Sequence, residues 1–123
     1  MDKKRILIVD DEKDFTQMVK LNLEETGKYI VRTENIGRQA LAAAREFKPH
    51  IILLDIVMPD TDGGEIAHNI SLDEELSRIP LVFLTAIVKD DEVKSQAGVI
   101  GGHTFIAKPV TTDKLIACIE ENT

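Results

Sequence analysis

Five side chains in this sequence have the chemistry to handle a phosphoryl group, and they stand at the ends of four apolar runs. Ile6-Leu7-Ile8-Val9 leads into Asp10-Asp11, and Ile51-Ile52-Leu53-Leu54 leads into Asp55. Leu81-Val82-Phe83-Leu84 leads into Thr85, and Phe105-Ile106-Ala107 leads into Lys108. A carboxylate can accept a phosphoryl group to form an aspartyl-phosphate. Asp55 is the candidate acceptor, because the run before it reads as the central, doubly buried strand. Asp10, Asp11 and Asp55 gathered together would repel and favour protonation unless a cation joined them. Mg²⁺ is the natural choice, a hard ion that takes oxygen ligands in octahedral geometry and keeps some of its waters. Lys108 supplies a point charge for a phosphoryl oxygen. Thr85 supplies a hydroxyl that can donate a hydrogen bond. Metal and lysine together would offset charge on the transferred group.

Each residue also has an ordinary explanation when taken alone. Asp55 could simply cap the next turn or helix, and Asp10 and Asp11 could cap the first helix. Thr85 could be a plain strand-end threonine, and Lys108 a solvated loop lysine. Phe105 reads as core on composition. His50, His68 and His103 have no metal-ligand spacing and read as surface or packing residues. Cys118 reads as core. These separate explanations weaken because the candidates all fall at the ends of different strands, where open α/β sheets form their sites.

The elements that must carry these residues follow from the same patterning. Residues 5–9, 29–33, 51–54, 81–84 and 103–107 read as strands, with 29–33 nearer a sheet edge because it alternates. Residues 14–26 form a helix with Phe15, Met18, Val19 and Leu23 inward, capped by Asp14 or Asp11 and stopped at Gly27. Residues 37–47 form an alanine-rich helix, with Ala40, Leu41, Ala44 and Phe47 inward, stopped by Pro49. A turn at residues 58–64 precedes a third helix carrying Ile66, Ala67 and Ile70. Residues 71–78 show no clear boundary. A short charged helix is expected over 90–97. A last helix, capped by Thr112 or Asp113, turns Leu115, Ile116 and Ile119 inward. Five β-α units with right-handed crossovers make a three-layer α/β/α sandwich around a parallel sheet. Periodicity alone does not order the strands.

At 123 residues the chain has the size of one domain, residues 1–123. Its net charge of −7 argues against direct nucleic-acid binding, which needs a basic footprint. No apolar run is long enough for a membrane span, and the one after Lys3-Lys4-Arg5 is too short for a signal peptide. The single cysteine excludes an internal disulfide and fits a reducing cytosol, so the cytoplasm is the expected location.

In register along its whole length, the sequence resembles the receiver domain of bacterial two-component response regulators. The segments that carry the resemblance are Ile6-Leu7-Ile8-Val9-Asp10-Asp11-Glu12, Leu54-Asp55-Ile56-Val57-Met58-Pro59, Asp62-Gly63, Leu84-Thr85-Ala86 and Phe105-Ile106-Ala107-Lys108-Pro109. The resemblance implies a flavodoxin-like sheet of order 2-1-3-4-5, an order for which a receiver protein is itself a known example. It implies Asp55 as phosphoacceptor and Mg²⁺ held by Asp10, Asp11, Asp55 and the backbone carbonyl of Val57. It further implies Thr85 and Lys108 as the hydroxyl and lysine of the site, Thr85 and Phe105 as the switch pair, and a cis Lys108–Pro109 bond. The phosphodonor would be a sensor histidine kinase or a histidine phosphotransfer protein. A phosphorylation-dependent dimer and a downstream output domain or protein are further implied partners, the output unnamed by the sequence. Two features depart from the family pattern. His103-Thr104 stands where an acidic pair often precedes the switch aromatic, and the fourth helix is short. Val57 and Ile87, both aliphatic, fall at positions bordering the approach of a hydrolytic water, so slow loss of the phosphate is expected.

Two other readings compete. A phosphohydrolase of the haloacid-dehalogenase type also uses an Asp after an apolar strand, but it resembles Asp-x-Asp, and here the third position is Val57. A receiver-like docking module that is never phosphorylated would not need Asp10, Asp11, Asp55, Thr85 and Lys108 together.

Overall fold

The computed structural model describes every residue except Met1, Val57, 86–98, Gly101, Gly102 and Pro109. Strands β1 (Lys4–Val9), β2 (Tyr29–Glu34), β3 (Ile51–Asp55), β4 (Leu81–Thr85) and β6 (His103–Ala107) pair in parallel. A two-residue strand, β5 (Val99–Ile100), runs antiparallel to β6 at the outer edge, giving the order β2-β1-β3-β4-β6-β5. The five parallel strands, counted along the chain, therefore stand in the flavodoxin-like order 2-1-3-4-5. Strand β5 is an addition to the sequence reading: two residues carry no legible period.

Among the described residues four α-helices cover the sheet: α1 (Lys13–Glu25), α2 (Ala40–Phe47), α3 (Gly63–Leu72) and the C-terminal α4 (Thr112–Asn122). Successive strand residues point to opposite faces, and both faces are covered. Ile6, Ile8, Leu53 and Leu84 pack with Val19 and Leu23 of α1 and Leu115 and Ile119 of α4. Leu7, Val9, Leu54 and Phe83 pack with Ala40 and Ala44 of α2 and Ile66 and Ile70 of α3. That double coverage is why the strands read as unbroken apolar runs. Each fully buried aliphatic side chain contributes roughly 1.5–3 kcal/mol. Strand β2 lies at the edge, as its alternation predicts. Cys118 is buried in the α1–α4 cluster, also as predicted.

The helix boundaries bring corrections. The N-cap residue of α1 is Glu12, so neither Asp11 nor Asp14 caps it; Asp14 lies in the first turn, where its charge suits the positive end of the helix. Met18 is 47% exposed, and Thr16 takes the inward place, because positions 16, 19 and 23 share one face. The Thr16 hydroxyl is satisfied there by Lys13 O at 3.1 Å and Asn35 Nδ2 at 3.0 Å. Gly27 follows α1 at φ +78, a left-handed stop that glycine adopts without strain. The alanine-rich helix opens with a 3₁₀ turn, Gly37–Gln39, and buries Ala43 beside Ala40 and Ala44. Thr111, not Thr112 or Asp113, caps α4, its hydroxyl accepting from Lys114 N at 3.2 Å. The unclear stretch after α3 holds a second 3₁₀ turn, Leu76–Arg78, anchored by buried Leu76. The helix expected over 90–97 lies outside the described residues. Among the described residues no helix is long and apolar enough to cross a membrane.

Candidate functional site

Because the five main strands are parallel, their carboxyl ends form one rim. Asp55 ends β3 and Thr85 ends β4; Asp10 follows β1 and Lys108 follows β6 by one residue each. Backbone bonds continue the ladders past the strand ends and set these positions. Asp10 N donates to Glu34 O at 3.0 Å, Ile56 N to Leu84 O at 3.3 Å, and Lys108 N to Thr85 O at 2.9 Å. Asn35 Nδ2 holds Asp10 O at 2.8 Å, tying the β1–α1 turn to the end of β2.

The rim gathers three carboxylates. One oxygen from each of Asp10, Asp11 and Asp55 lies within 4.8 Å of the other two. Asp10 and Asp55 are buried, while Asp11 is exposed. This donor set fits Mg²⁺: the oxygens are hard, two are shielded, and the exposed side admits the waters such an ion retains. Burial pushes the Asp10 carboxyl above the usual carboxylate range, partly offset by its hydrogen bonds from Lys108 and from the Glu12 N–H. A nearby divalent charge would favour the ionised form.

The Lys108 ammonium stands 2.5 Å from Asp10 Oδ2, 3.3 Å from Glu12 Oε1 and 3.9 Å from Asp55 Oδ2. It also lies 4.6 Å from the centre of the Phe15 ring. Burial alone would lower its pKa, but the hydrogen bond and charge of Asp10, with Asp55 and Glu12, raise it, so the lysine is a fixed positive charge. The phosphoryl oxygens of an acylphosphate on Asp55 would carry the opposite charge in its reach.

Thr85 and Phe105 belong to the other face of the sheet. Thr85 is 1% exposed and sits two residues beyond Phe83, so both side chains point to the α2–α3 side. Phe105 pairs with Phe83 in register, their ring centroids 5.1 Å apart and tilted by 34°. Asp55 shares its parity with Ile51 and Leu53, which face α1 and α4. The structure thus brings Asp10, Asp11, Asp55 and Lys108 together, while strand alternation directs Thr85, at the end of β4, and Phe105, mid-way along β6, to the α2–α3 side. Val57, Ile87 and the Lys108–Pro109 bond, each assigned a part by the sequence, lie outside the described residues.

The turn after β3 is held close to the site. Gly63 N donates to Ile56 O at 2.8 Å, and a Cβ on Gly63 would sit 2.3 Å from Asp55 O. Only glycine allows α3 to start that near the acid-bearing strand. Asp62 caps α3, accepting from Gly64 N at 2.8 Å. Asp60 accepts from Arg38 N at 2.9 Å and Gly37 N at 3.2 Å, which hold its carboxyl below the usual range. Sequence reading assigned no part in the site to Glu12, Phe15 or Asp60. A usable signal existed for the first two: a helix that starts directly after Asp10-Asp11 must place its first turn on the rim.

Similarity to known proteins follows the same lines. The sequence matches the family described as response regulator receiver domain over residues 6–120. It is 39% identical to the phosphate regulon transcriptional regulatory protein PhoB of Pseudomonas aeruginosa over 114 residues, 93% of this chain and 49% of that protein. It is 34% identical to the polar-differentiation response regulator DivK of Brucella anthropi over 118 residues, 95% of this chain and 94% of that protein. The solved structure of the chemotaxis response regulator CheY4 of Vibrio cholerae is similar at a TM-score of 0.82 and 27% identity, covering 99% of this chain and 100% of that one. The chain thus spans about half the length of PhoB and nearly all of DivK.

Proposed function

The chain belongs to the response regulator receiver-domain family, and we propose that it acts as a phosphoacceptor switch with Asp55 as the acceptor. The donor is the phosphohistidine of a sensor histidine kinase or of a histidine phosphotransfer protein. The observation that carries this reading is the cluster itself: a buried acid ending the middle strand shares its rim with two further carboxylates and one lysine. A carboxylate oxygen of Asp55 attacks phosphorus, the O–P bond forms, and the P–N bond to the donor imidazole breaks. Asp10, Asp11 and Asp55 would hold Mg²⁺, with the Val57 carbonyl added by family likeness; when bound, the ion offsets charge on the carboxylates and phosphoryl oxygens. Lys108 pairs with a phosphoryl oxygen, and the Thr85 hydroxyl donates to another. The domain is a signalling switch rather than a metabolic enzyme, and it assists its own transfer only by positioning and charge.

Readout runs through packing. Thr85 drawn toward the phosphoryl group leaves space on its face of the sheet. The Phe105 ring, already tilted against Phe83, repacks toward that space. The changed surface serves an output domain or protein, or a second phosphorylated copy. The reading places the protein in the cytoplasm, where the lone Cys118 stays reduced.

The test uses a small acyl phosphate with Mg²⁺ and intact-mass detection. Wild-type protein should gain one phosphate and Asp55→Ala none. Labelling that persists in Asp55→Ala overturns the assignment of the acceptor. Absence of labelling from both a small donor and a phosphohistidine protein would favour the docking module instead.

A further inference from the structure

Two residues at the start of α1, Glu12 and Phe15, touch the Lys108 ammonium and have no place in the reading above. We propose that Glu12 and Phe15 are positioning residues that hold Lys108 on the α1 side of the site and so set how readily it reaches a phosphoryl group on Asp55. This inference rests on Asp55 being the acceptor.

The geometry supplies the argument. Lys108 Nζ is nearer to Asp10 Oδ2, at 2.5 Å, and to Glu12 Oε1, at 3.3 Å, than to Asp55 Oδ2, at 3.9 Å. The Phe15 ring lies beneath it at 4.6 Å from the centroid. The face of an aromatic ring attracts an ammonium, and more so when the pair is withdrawn from water. Here only 11% of the lysine side chain is exposed. Neither holder drifts freely. Glu12 N donates to Asp10 Oδ1 at 3.0 Å, which fixes its backbone beside the carboxylate. Phe15 is partly buried and packs against the α1–α4 core.

Asp10 differs from the other two holders. A cation in the carboxylate cluster draws on its oxygens and weakens its hold on Lys108. Phe15 has no oxygen to give, and Glu12 is outside the cluster of three acids. The ring and the glutamate therefore remain the competitors of the phosphoryl group for the lysine once a cation is bound. An exposed ion pair and a partly exposed ring contact each change an equilibrium by a few-fold. Glu12 is 64% exposed at its side chain, so its share is at the modest end.

The experiment measures the affinity for trifluoroberyllate, a phosphoryl mimic, at saturating Mg²⁺ by calorimetry. Glu12→Gln and Phe15→Leu should each bind it about threefold more tightly than wild type. Phe15→Tyr, which keeps the ring, should match wild type. In a Lys108→Met background both substitutions should lose their effect, since a double-mutant cycle isolates what passes through the lysine. The lysine can also be watched directly by NMR. In metal-free protein the Lys108 ε-methylene protons should be shifted upfield by the ring, an effect absent from Phe15→Leu and reduced when trifluoroberyllate binds. Unchanged affinity in both variants, or an effect that persists without Lys108, overturns the proposal. Failure of the acceptor reading would look different: wild-type protein would take up no trifluoroberyllate, and the inference would fall with it.

Discussion

Lys108 Nζ lies 2.5 Å from Asp10 Oδ2 and 3.9 Å from Asp55 Oδ2, so the lysine of the site sits closer to a candidate metal ligand than to the candidate acceptor, with which its ion pair is longer. Lysine and divalent cation then compete for one buried carboxylate. Burial disfavours the charged form of Asp10, and Lys108 relieves that only in part.

Lys108→Met should therefore raise Mg²⁺ affinity while lowering phosphoryl uptake. Two like charges a few ångströms apart near a protein surface repel by a few kcal/mol at an effective dielectric of about 20, so the gain should be at least about tenfold. Calorimetric titration with Mg²⁺ and initial labelling rates from a small phosphodonor measure the two effects. Weaker Mg²⁺ binding in the variant would refute the competition.

Asp11 is exposed, so its removal should leave folding stability within about 0.5 kcal/mol. It supplies one of three carboxylates, so Asp11→Ala should weaken Mg²⁺ by about tenfold or more. Chelation should abolish labelling of wild-type protein. Equal Mg²⁺ titrations for variant and wild type would remove Asp11 from the site.

Gly63 and Gly64 are neighbours with opposite expectations. A Cβ at Gly63 would meet Asp55 O at 2.3 Å and Ile56 Cα at 2.7 Å, both on rigid backbone. Gly63→Ala should cost about 1–3 kcal/mol, as overpacking does, and slow phosphoryl uptake by shifting the end of β3. At Gly64 the nearest atom, Asp62 Oδ1, is 3.4 Å away, so Gly64→Ala in the first turn should be neutral or stabilise by up to about 1 kcal/mol. Urea unfolding of the two variants should separate them; matching midpoints would contradict the close approach.

Thr85→Ala should still accept phosphate if, as proposed, the hydroxyl serves readout and Asp55 is the nucleophile. Its amide-exchange response to phosphorylation around β4 and β6 should be largely lost. A wild-type exchange pattern in the phosphorylated variant would remove Thr85 from the switch.

His50 gives the protein a mild acid sensitivity far from the acidic rim. Its Nδ1 accepts from Arg5 N at 2.8 Å, a bond that only the unprotonated nitrogen can make. Burial, then the charges of Arg5 and Lys4, hold its pKa below the ordinary 6.5. The folded state thus binds protons less readily than the unfolded chain. Its contribution to stability is full above 6.5 and is lost as pH falls through the depressed folded value. The urea midpoint of wild type should fall between pH about 7.5 and about 5.5, and that of His50→Gln should fall less. Parallel curves for the two proteins would show that His50 carries none of the dependence.

Much of this protein is local in its sequence. Strands covered on both faces need apolar residues at every position, so β1, β3 and β4 announce themselves as unbroken runs. Their ends are marked by a change to acid or hydroxyl. Sequence alone therefore determined the α/β class, the main strands and helices, and the identity of Asp10, Asp11, Asp55, Thr85 and Lys108 as the residues to watch; the strand order came through family resemblance. Cap positions were less legible, because Thr111, Thr112 and Asp113 are adjacent and each can accept a capping hydrogen bond, and a shift of one residue in where α4 starts decides among them. The inward place of Thr16 over Met18 was hidden because the rotation of a helix is set by what it packs on. Who pairs with whom at the rim was beyond any local pattern. Lys108 and Asp10 are 98 residues apart, and their contact exists because β6 and β1 enter one sheet in a particular order and register. A side-chain distance of that kind is decided by strand registration and helix packing acting together, which is why only the tertiary structure placed the lysine on Asp10, Glu12 and Phe15.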